Sequence, residues 1–323
     1  MHPILQRRPF EPELRLVSLE GLGGEGAHSG TAFRVLDEEG RAYKLRECGS
    51  PRRAKEIERL VRGLPWLFPS FVARDGSLLL LDLLQDHRPL TRHELLARAG
   101  EIGELAARLH RAGRAELGAS RSRRFSAAAA TLGRFFADLT RVGRGSQLPV
   151  RSVVGVAFKA LRRLFRYGLP VELELDDVHK DNFMWHPEDD DLRYVDEEAI
   201  GLAPRGLSMA TLLKTANLSD TLEAYREGYS AEADASWIEP GYVEWLLLQD
   251  AVRRVAHKLR SGLRPEKLPD EIAEIRAMAD TRGVTLEWRF PKDAVRTARR
   301  ARRRAARAAA ESIAREDPDA RDR

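Results

Sequence analysis

Alternating apolar and polar positions in the first 85 residues predict a small antiparallel sheet with one helix inserted in it. Three strand-like segments come first: ELRLVS (13–18), TAFRVL (31–36) and RAYKLREC (41–48). A helix is predicted next, because Ser50 can cap it, Pro51 suits its first position and the apolar residues that follow recur at helical spacing. A hairpin through Asp75-Gly76 completes this part. The predicted order is strand, glycine-rich turn, strand, turn, strand, helix, strand, strand.

After residue 85 the apolar positions recur mainly at helical spacing. One helix is predicted over 91–113, with Thr91 as its cap, and another over 151–168. The second of these has an apolar face and a basic face. The apolar face holds Val153, Val154, Ala157, Phe158, Leu161, Leu164 and Phe165, and the basic face holds Lys159, Arg162, Arg163 and Arg166.

Two short strand-like pieces, VELEL (171–175) and LRYV (192–195), then interrupt the helices. Four further helices are predicted, over 206–216, 219–230, 239–261 and 268–281. The segment 114–126 is the most linker-like stretch of the interior. Strands that come first and helices that come later are the pattern of an α+β fold.

Composition then narrows the class of protein. The chain has 323 residues, 43% hydrophobic and 33% charged, so it can bury a core and remain in solution. Its longest apolar runs, such as 77–84, fall far short of the roughly 20 residues that a membrane helix needs. The N-terminus has no apolar core of signal-peptide length. Cys48 is the only cysteine, which excludes an intrachain disulfide or a cysteine metal cluster, and we expect a cytoplasmic protein.

The net charge of +5 is unevenly distributed along the chain. Residues 291–323 hold 11 Lys and Arg against 6 Asp and Glu, so residues 1–290 balance to zero. Nucleic acid is therefore not the expected partner of the main body. Within the tail, 292–307 predicts an Arg-rich helix with a narrow alanine seam. It is either a solvated helix or a contact with an anionic surface, for which we favour membrane phosphates over nucleic acid.

Two features of the N-terminal part suit a nucleotide. The glycine-rich turn can bring backbone amides close to phosphates. Its candidate binding residues are Gly24, Gly26, Ser29 and Gly30. Lys44 lies in the middle of a predicted strand, where a lysine normally faces solvent. It could instead contact phosphates if a carboxylate on the next helix held it, and Glu56 or Glu58 could supply that carboxylate.

A group of polar residues surrounds the two late strand-like pieces. ELDDVHKDNFMW (174–185) contains Asp177 and, five residues later, Asn182, and Asp196 follows fourteen residues beyond. Mg²⁺ prefers hard oxygen ligands and takes few of them from the protein when phosphates supply the rest. A third carboxylate nearby can orient an attacking hydroxyl. The alternative is a solvated acidic turn.

The order of these parts is that of a protein kinase: glycine-rich turn, strand lysine, helix glutamate, D-x-x-x-x-N loop and strand aspartate. The sequence most resembles the aminoglycoside phosphotransferase and choline-kinase-like branch of that fold. That branch typically has H-G-D-x-H-x-x-N and I-D-x-E, where this chain has L-D-D-V-H-K-D-N (175–182) and V-D-E-E (195–198). The segments ELAARLH (104–110) and TLEAYREGY (221–229) are also similar to it.

The resemblance implies a two-lobed protein-kinase-like fold that uses ATP and Mg²⁺. An N-terminal nucleotide-binding lobe would cover 1–85 and a helical catalytic and acceptor lobe 86–290, with an Arg- and Ala-rich tail over 291–323. Asp177 would act on the acceptor hydroxyl, His179 would support its loop, and Asn182 and Asp196 would hold the metal. The residues implied at the nucleotide are Lys44 with Glu56 (or Glu58), and a hinge of Asp82, Leu83 and Leu84 beside the adenine.

The sequence also departs from the family pattern. Leu175 and Asp176 replace the His and Gly before the catalytic aspartate, so only the spacing to Asn182 favours Asp177 over Asp176. The main hypothesis is a kinase that phosphorylates a hydroxyl of a small molecule or saccharide. One alternative is a lipopolysaccharide-core sugar kinase at the inner membrane face, helped by the Arg-rich tail. The other is a pseudokinase or binding module. His110, on a helix face, is expected to be a packed histidine and not a base.

Overall fold

The fold begins with a five-stranded antiparallel sheet, seen in a computed structural model. The residues described by the structure are 3–6, 9–10, 14–22, 32–115, 121–145, 150–213, 218–262 and 268–280. The sheet has the strand order β1-β2-β3-β5-β4. Its strands are β1 (Leu16–Gly21), β2 (Ala32–Asp37), β3 (Ala42–Glu47), β4 (Phe71–Asp75) and β5 (Leu78–Asp82).

The helix predicted after β3 is α2 (Pro51–Gly63), and a single turn, α1 (Pro3–Gln6), precedes the sheet. Ser50 caps α2 by accepting a hydrogen bond from the backbone N–H of Arg53 at 3.2 Å. The hairpin at Asp75-Gly76 is also confirmed. Gly76 has φ +57°, a left-handed conformation that glycine adopts without steric cost.

Helices make up most of the chain after β5. They are α3 (Arg92–Ala97), α4 (Ala99–Ala115), α5 (Arg121–Gly145), α6 (Val150–Tyr167), α7 (Leu207–Leu213), α8 (Leu218–Glu232), α9 (Pro240–Ser261) and α10 (Leu268–Asp280). Thr91 caps α3 through a capping box with Glu94. The helix predicted over 91–113 is therefore two helices that meet at Arg98.

Two small antiparallel sheets lie among these helices. One pairs β7 (Val171–Leu175) with β10 (Ile200–Pro204). The other has the order β6-β8-β9, with β6 (Arg88–Pro89), β8 (Phe183–His186) and β9 (Asp191–Tyr194). Sequence reasoning predicted β7 and β9 but missed β6, β8 and β10. Together the three sheets place the polar segments 176–182 and 195–199 side by side.

The predicted α+β, two-lobed protein-kinase-like fold is confirmed: a small antiparallel sheet is followed by a mostly helical remainder. The linker expected at 114–126 is partly wrong, because α4 extends to Ala115 and α5 begins at Arg121. Residues up to Thr281 form one compact unit. The domain boundaries at 85 and 290 stay predictions, and the second of them, with the whole predicted tail helix, lies outside the described residues. Within the described residues, no helix has the length and apolar character needed to cross a bilayer.

Candidate active site

The candidate catalytic loop follows strand β7, all five residues of which are buried. The chain turns out of the sheet at Asp176, whose backbone N–H donates a hydrogen bond to the carbonyl of Ala199 at 2.6 Å. Asp177 is the next residue and is exposed. A buried strand thus fixes the backbone that carries an accessible carboxylate.

Asn182 lies against Asp177, as the five-residue spacing indicated. Its side-chain amide donates to the backbone carbonyl of Asp177 at 3.0 Å and to its Oδ2 at 3.2 Å. The hydroxyl of Tyr194 donates to the same carbonyl at 3.0 Å. Burial raises the pKa of Tyr194 far above its usual value, so the phenol stays protonated and remains a donor. The loop is thereby held from two sides.

Asp196 joins this loop through the backbone of its neighbour. The N–H of Val195 donates to the carbonyl of Asn182 at 2.9 Å, which brings Asp196 beside the candidate catalytic loop. Burial raises the pKa of the Asp196 carboxyl, an effect that Arg46 opposes and Glu197 reinforces. The surroundings of Asp196 therefore disfavour its charged form even with Arg46 3.4 Å away, and a further cation would favour that form.

Lys44 reaches the same segment from the sheet. It is buried, and its Nζ donates to the carbonyl of Val195 at 2.6 Å and to both oxygens of Glu197 at 2.8 and 3.0 Å. Arg46, two residues along β3 and on the same face, donates to Glu197 Oε2 at 2.9 Å and pairs with Glu198 at 2.9 Å. Glu197 is fully buried between the two cations.

The expected partnership of Lys44 with Glu56 or Glu58 is wrong. Both glutamates instead contact arginines on α2 or on β4. The partners are Arg52 and Arg53 for Glu56, and Arg62 and Arg74 for Glu58. The physical reason is that these arginines lie within one helical turn or on the adjacent strand, whereas Glu197 is the carboxylate that the fold buries against Lys44.

The site has more negative than positive charge. Two buried cations, Lys44 and Arg46, face the carboxylates of Asp196, Glu197 and Glu198, with Asp177 close by. The described residues contain no cluster of three or more His, Cys, Asp or Glu side chains arranged for a metal. Asn182 and Asp196 are oxygen donors in an acidic site, and this fits Mg²⁺, which takes few protein ligands when nucleotide phosphates supply the others.

Asp176, the other candidate aspartate, has a different partner. Its carboxylate pairs with Arg253 of α9, and Arg253 also lies 3.5 Å from the buried Asp250. The pKa of Arg253 is raised, although burial opposes this, because Asp176, Asp250 and Asp177 favour its charged form. Sequence reasoning missed Arg253, because 77 residues separate it from Asp176 and nothing in the sequence connects them. Asp176 thus forms an ion pair with Arg253, while Asp177 accepts a hydrogen bond from Asn182.

The remaining predicted nucleotide residues are only partly described. Asp82 ends β5 and lies 3.3 Å from Arg41, and Leu83 and Leu84 are half-buried in the connection to β6. These residues connect the five-stranded sheet to the rest of the chain, and their role as a hinge beside the adenine stays a prediction. The candidate loop residues Gly24, Gly26, Ser29 and Gly30 lie outside the described residues.

Two histidines lie in or near the site: His179 in the loop and His110 in a buried network that includes Glu174 of β7. His179 is about half exposed, and its Nδ1 lies 3.1 Å from Asp181, within the loop. His110 is buried, with Nδ1 2.8 Å from the hydroxyl of Tyr229 and Nε2 2.7 Å from Glu174. Glu174 also accepts a hydrogen bond from Ser208 Oγ at 2.8 Å. His110 is therefore engaged on both ring nitrogens in a buried network under β7.

Comparisons with known proteins agree with this architecture. No family model matches the sequence, and a search of curated proteins found no significant match. Solved structures do match in fold. The choline kinase LicA from Streptococcus pneumoniae is 14% identical, with a TM-score of 0.56 over 82% of this chain and 92% of that one. ADP-bound aminoglycoside phosphotransferase APH(2'')-Ib is 15% identical, with a TM-score of 0.56 over 86% of this chain and 98% of that one. Macrolide 2'-phosphotransferase type I is 17% identical, with a TM-score of 0.55 over 84% of this chain and 94% of that one. The resemblance to the aminoglycoside phosphotransferase and choline kinase family is confirmed at the level of the fold.

Proposed function

We propose that the protein is an ATP- and Mg²⁺-dependent phosphotransferase whose acceptor is a hydroxyl of a small molecule or saccharide. The observation that carries the proposal is the joining of Asp177, Asn182 and Asp196 in one acidic loop system, with the Asp177 carboxylate exposed, beside the buried Lys44. An exposed carboxylate, a pair of oxygen ligands and a buried cation are the parts that phosphoryl transfer needs.

Asp177 is the residue assigned to the acceptor. Its exposed carboxylate can accept the proton of an acceptor hydroxyl, while Asn182 holds its orientation. The hydroxyl oxygen then bonds to the γ-phosphorus, the bond from that phosphorus to the β–γ bridging oxygen breaks, and ADP leaves with the electron pair. Proton transfer of this kind contributes roughly 10²–10⁴-fold to rate.

Asn182 and Asp196 are assigned to the metal, and Lys44 to the α- and β-phosphates. Mg²⁺, when bound, would supply positive charge that offsets the negative charge of the phosphates. Lys44 is oriented for this by Glu197 and by the carbonyl of Val195. Because Arg46 shares Glu197, the two cations also fix the backbone on which Asp196 lies.

The structural neighbours support the choice of reaction class. Their names describe kinases or phosphotransferases of choline, aminoglycosides and macrolides, and one of them holds ADP. These acceptors differ widely, so they favour a small hydroxyl-bearing acceptor without selecting one. A cytoplasmic location, where ATP is available, is part of the proposal.

Thermal unfolding with nucleotide tests the proposal before any acceptor is known. ATP with Mg²⁺ should raise the melting temperature, and ATP with EDTA should not. An ATP-consumption screen with sugars, aminoglycosides, macrolides, amino alcohols and lipid saccharides then seeks the acceptor. A magnesium-dependent shift without turnover on any acceptor would favour the pseudokinase alternative. No shift at all would contradict nucleotide binding.

A further inference from the structure

Exposed apolar side chains are concentrated on one part of the molecule, the hairpin of α5 and α6. Eight large hydrophobic residues are exposed in the described part of the chain, and six of them lie on this hairpin. They are Phe125, Val150, Val154, Phe158, Leu161 and Phe165, with exposed fractions from 39% to 87%. Isolated exposed hydrophobics are common, but a continuous group of them marks a binding surface.

Five of these residues form one stripe along α6, which we call the α6 stripe. Their positions are 150, 154, 158, 161 and 165, a spacing of four, four, three and four residues, so they lie on one side of the helix. The residues that α6 buries are Ser152, Val156 and Ala160, which lie on the opposite side. An apolar helix face normally packs into the core. Here much of the apolar face is exposed to solvent. The α6 stripe is about 22 Å long, since an α-helix rises 1.5 Å per residue.

The same hairpin has a large net positive charge. Residues 121–167 contain 11 Lys and Arg and a single acidic residue, Asp138, a net charge of +10, although residues 1–290 as a whole are neutral. α6 itself has no acidic residue. Arg151, Arg162 and Arg166 are exposed next to the stripe, at helical angles that follow directly on its edge.

We propose that the α6 stripe and its flanking arginines bind the surface of an anionic lipid bilayer. Such a surface offers acyl chains to the apolar stripe and phosphate headgroups to the arginines, and a helix with these two faces lies in the plane of the interface. None of the residues assigned to the kinase site lies on α5 or α6, so this inference extends beyond the proposed reaction and does not depend on it.

Other occupants fit these observations less well. A second copy of the chain would oppose two hairpins of charge +10, which repel each other. The segment 291–323 has a net charge of +5, of the same sign. A nucleic acid would pair with the arginines but leave Phe158 and Phe165 in water. A lipid bilayer satisfies both the charge and the apolar area.

Cosedimentation of the full-length protein with vesicles tests the proposal. Vesicles of phosphatidylcholine with 30% phosphatidylglycerol should bind the protein, and pure phosphatidylcholine should bind it far less. F158Q/F165Q should lower the partition coefficient about tenfold or more, because two exposed aromatic rings no longer enter the interface. R151Q/R162Q should lower it by a similar factor, and added salt should reduce the difference between this variant and the wild type.

Matched controls use the same substitutions elsewhere on the surface. V17Q/V72Q removes two exposed apolar side chains from the β-sheet, and R52Q/K55Q removes two exposed charges from α2. Both should bind like the wild type, and circular dichroism should show that every variant is folded. An equal loss in the controls, or unchanged binding in both hairpin variants, would overturn the proposal. So would a dimer that F158Q/F165Q dissociates without any vesicle binding, or binding to an oligonucleotide alone.

Discussion

Single residues of the site illustrate what sequence spacing can and cannot predict. Asp177 and Asn182 lie in one short loop, so a five-residue spacing was enough to pair them. The partner of Lys44 is Glu197, which is 153 residues away. Sequence reasoning did not predict this pair, although Glu197 lies in the V-D-E-E segment (195–198). Burial decided that pairing, and burial of a single carboxylate has no periodic signal in the sequence.

The first prediction separates the two neighbouring aspartates. Asp177→Asn should lower kcat by roughly 10²–10⁴-fold while the ATP-induced melting shift is kept, because Asp177 acts on the acceptor and not on the nucleotide. Asp176→Asn is the matched control. It loses an ion pair to Arg253 at a half-exposed position, and its kcat should fall far less. The reverse pattern would show that the catalytic role belongs to Asp176.

The second prediction concerns the charge of Asp196. Because burial raises the pKa of its carboxyl, the ionised form is unfavourable in the fold, and wild-type stability is lost as the pH rises through that raised pKa. Asp196→Asn should therefore unfold at no lower urea concentration than the wild type at pH 7, with the difference vanishing in acid below the ordinary aspartate pKa. The same variant should lose most of the magnesium-dependent ATP shift.

A carboxyl whose pKa is shifted in the opposite direction, that of Glu94, serves as the control for this pH dependence. Hydrogen bonds from Arg88 and Thr91 lower the pKa of Glu94, so its carboxylate stabilises the fold above the ordinary glutamate pKa and stops doing so as the pH falls through the lowered value. Glu94→Gln should be less stable than the wild type at pH 7. If Asp196→Asn behaved like Glu94→Gln, Asp196 would be a structural ion-pair residue and not a metal ligand held at a cost in stability.

At the level of elements, strand β3 and the segment after β9 hold the buried ion pairs of the site. The alternation in AYKLRE predicted the strand, and it places Lys44 and Arg46 on one face. What the pattern could not predict is that this face is buried against Glu197 and not exposed. The α6 pattern shows the same limit: helical spacing predicted the helix, but it could not tell which of its faces meets the core.

The third prediction compares two glutamates. Glu197→Gln leaves two buried cations without their shared carboxylate, and breaking a buried pair typically destabilises a protein by about 3–5 kcal/mol. Glu56→Gln affects only exposed pairs with Arg52 and Arg53, and should change the free energy of unfolding by less than about 0.5 kcal/mol. Urea unfolding measures both. A larger loss from Glu56→Gln would restore the helix glutamate as the functional partner.

At the scale of the whole molecule, charge is separated along the chain. The neutral total of residues 1–290 concealed a hairpin of +10, because an equal excess of acidic residues lies elsewhere in the body. The architecture was predictable, because the order of strands and helices indicated an α+β fold and the order of the motifs indicated the kinase-like form of it. The sequence showed a basic face on α6, but it did not show the net charge of the whole hairpin, because charge was summed over residues 1–290.

The fourth prediction weighs the hairpin against the Arg-rich tail. Replacing Arg299, Arg300, Arg302 and Arg303 by Gln in the full-length chain should weaken vesicle binding in a salt-sensitive manner. Clear binding should nevertheless remain, and F158Q/F165Q should remove it. Cosedimentation of the single and combined variants measures this. Complete loss of binding on neutralising the tail alone would place the membrane contact in 292–307 and not on α6.

The central claim is phosphoryl transfer from ATP through Asp177, and transfer of label from γ-labelled ATP tests it most directly. Wild-type protein with Mg²⁺ and pooled hydroxyl-bearing acceptors should form a labelled phosphomonoester together with ADP. The Asp177→Asn protein should form at least about a hundredfold less while still giving the ATP-induced melting shift. If the wild type forms no labelled product with any acceptor pool, or if both proteins form it at the same rate, the claim is contradicted.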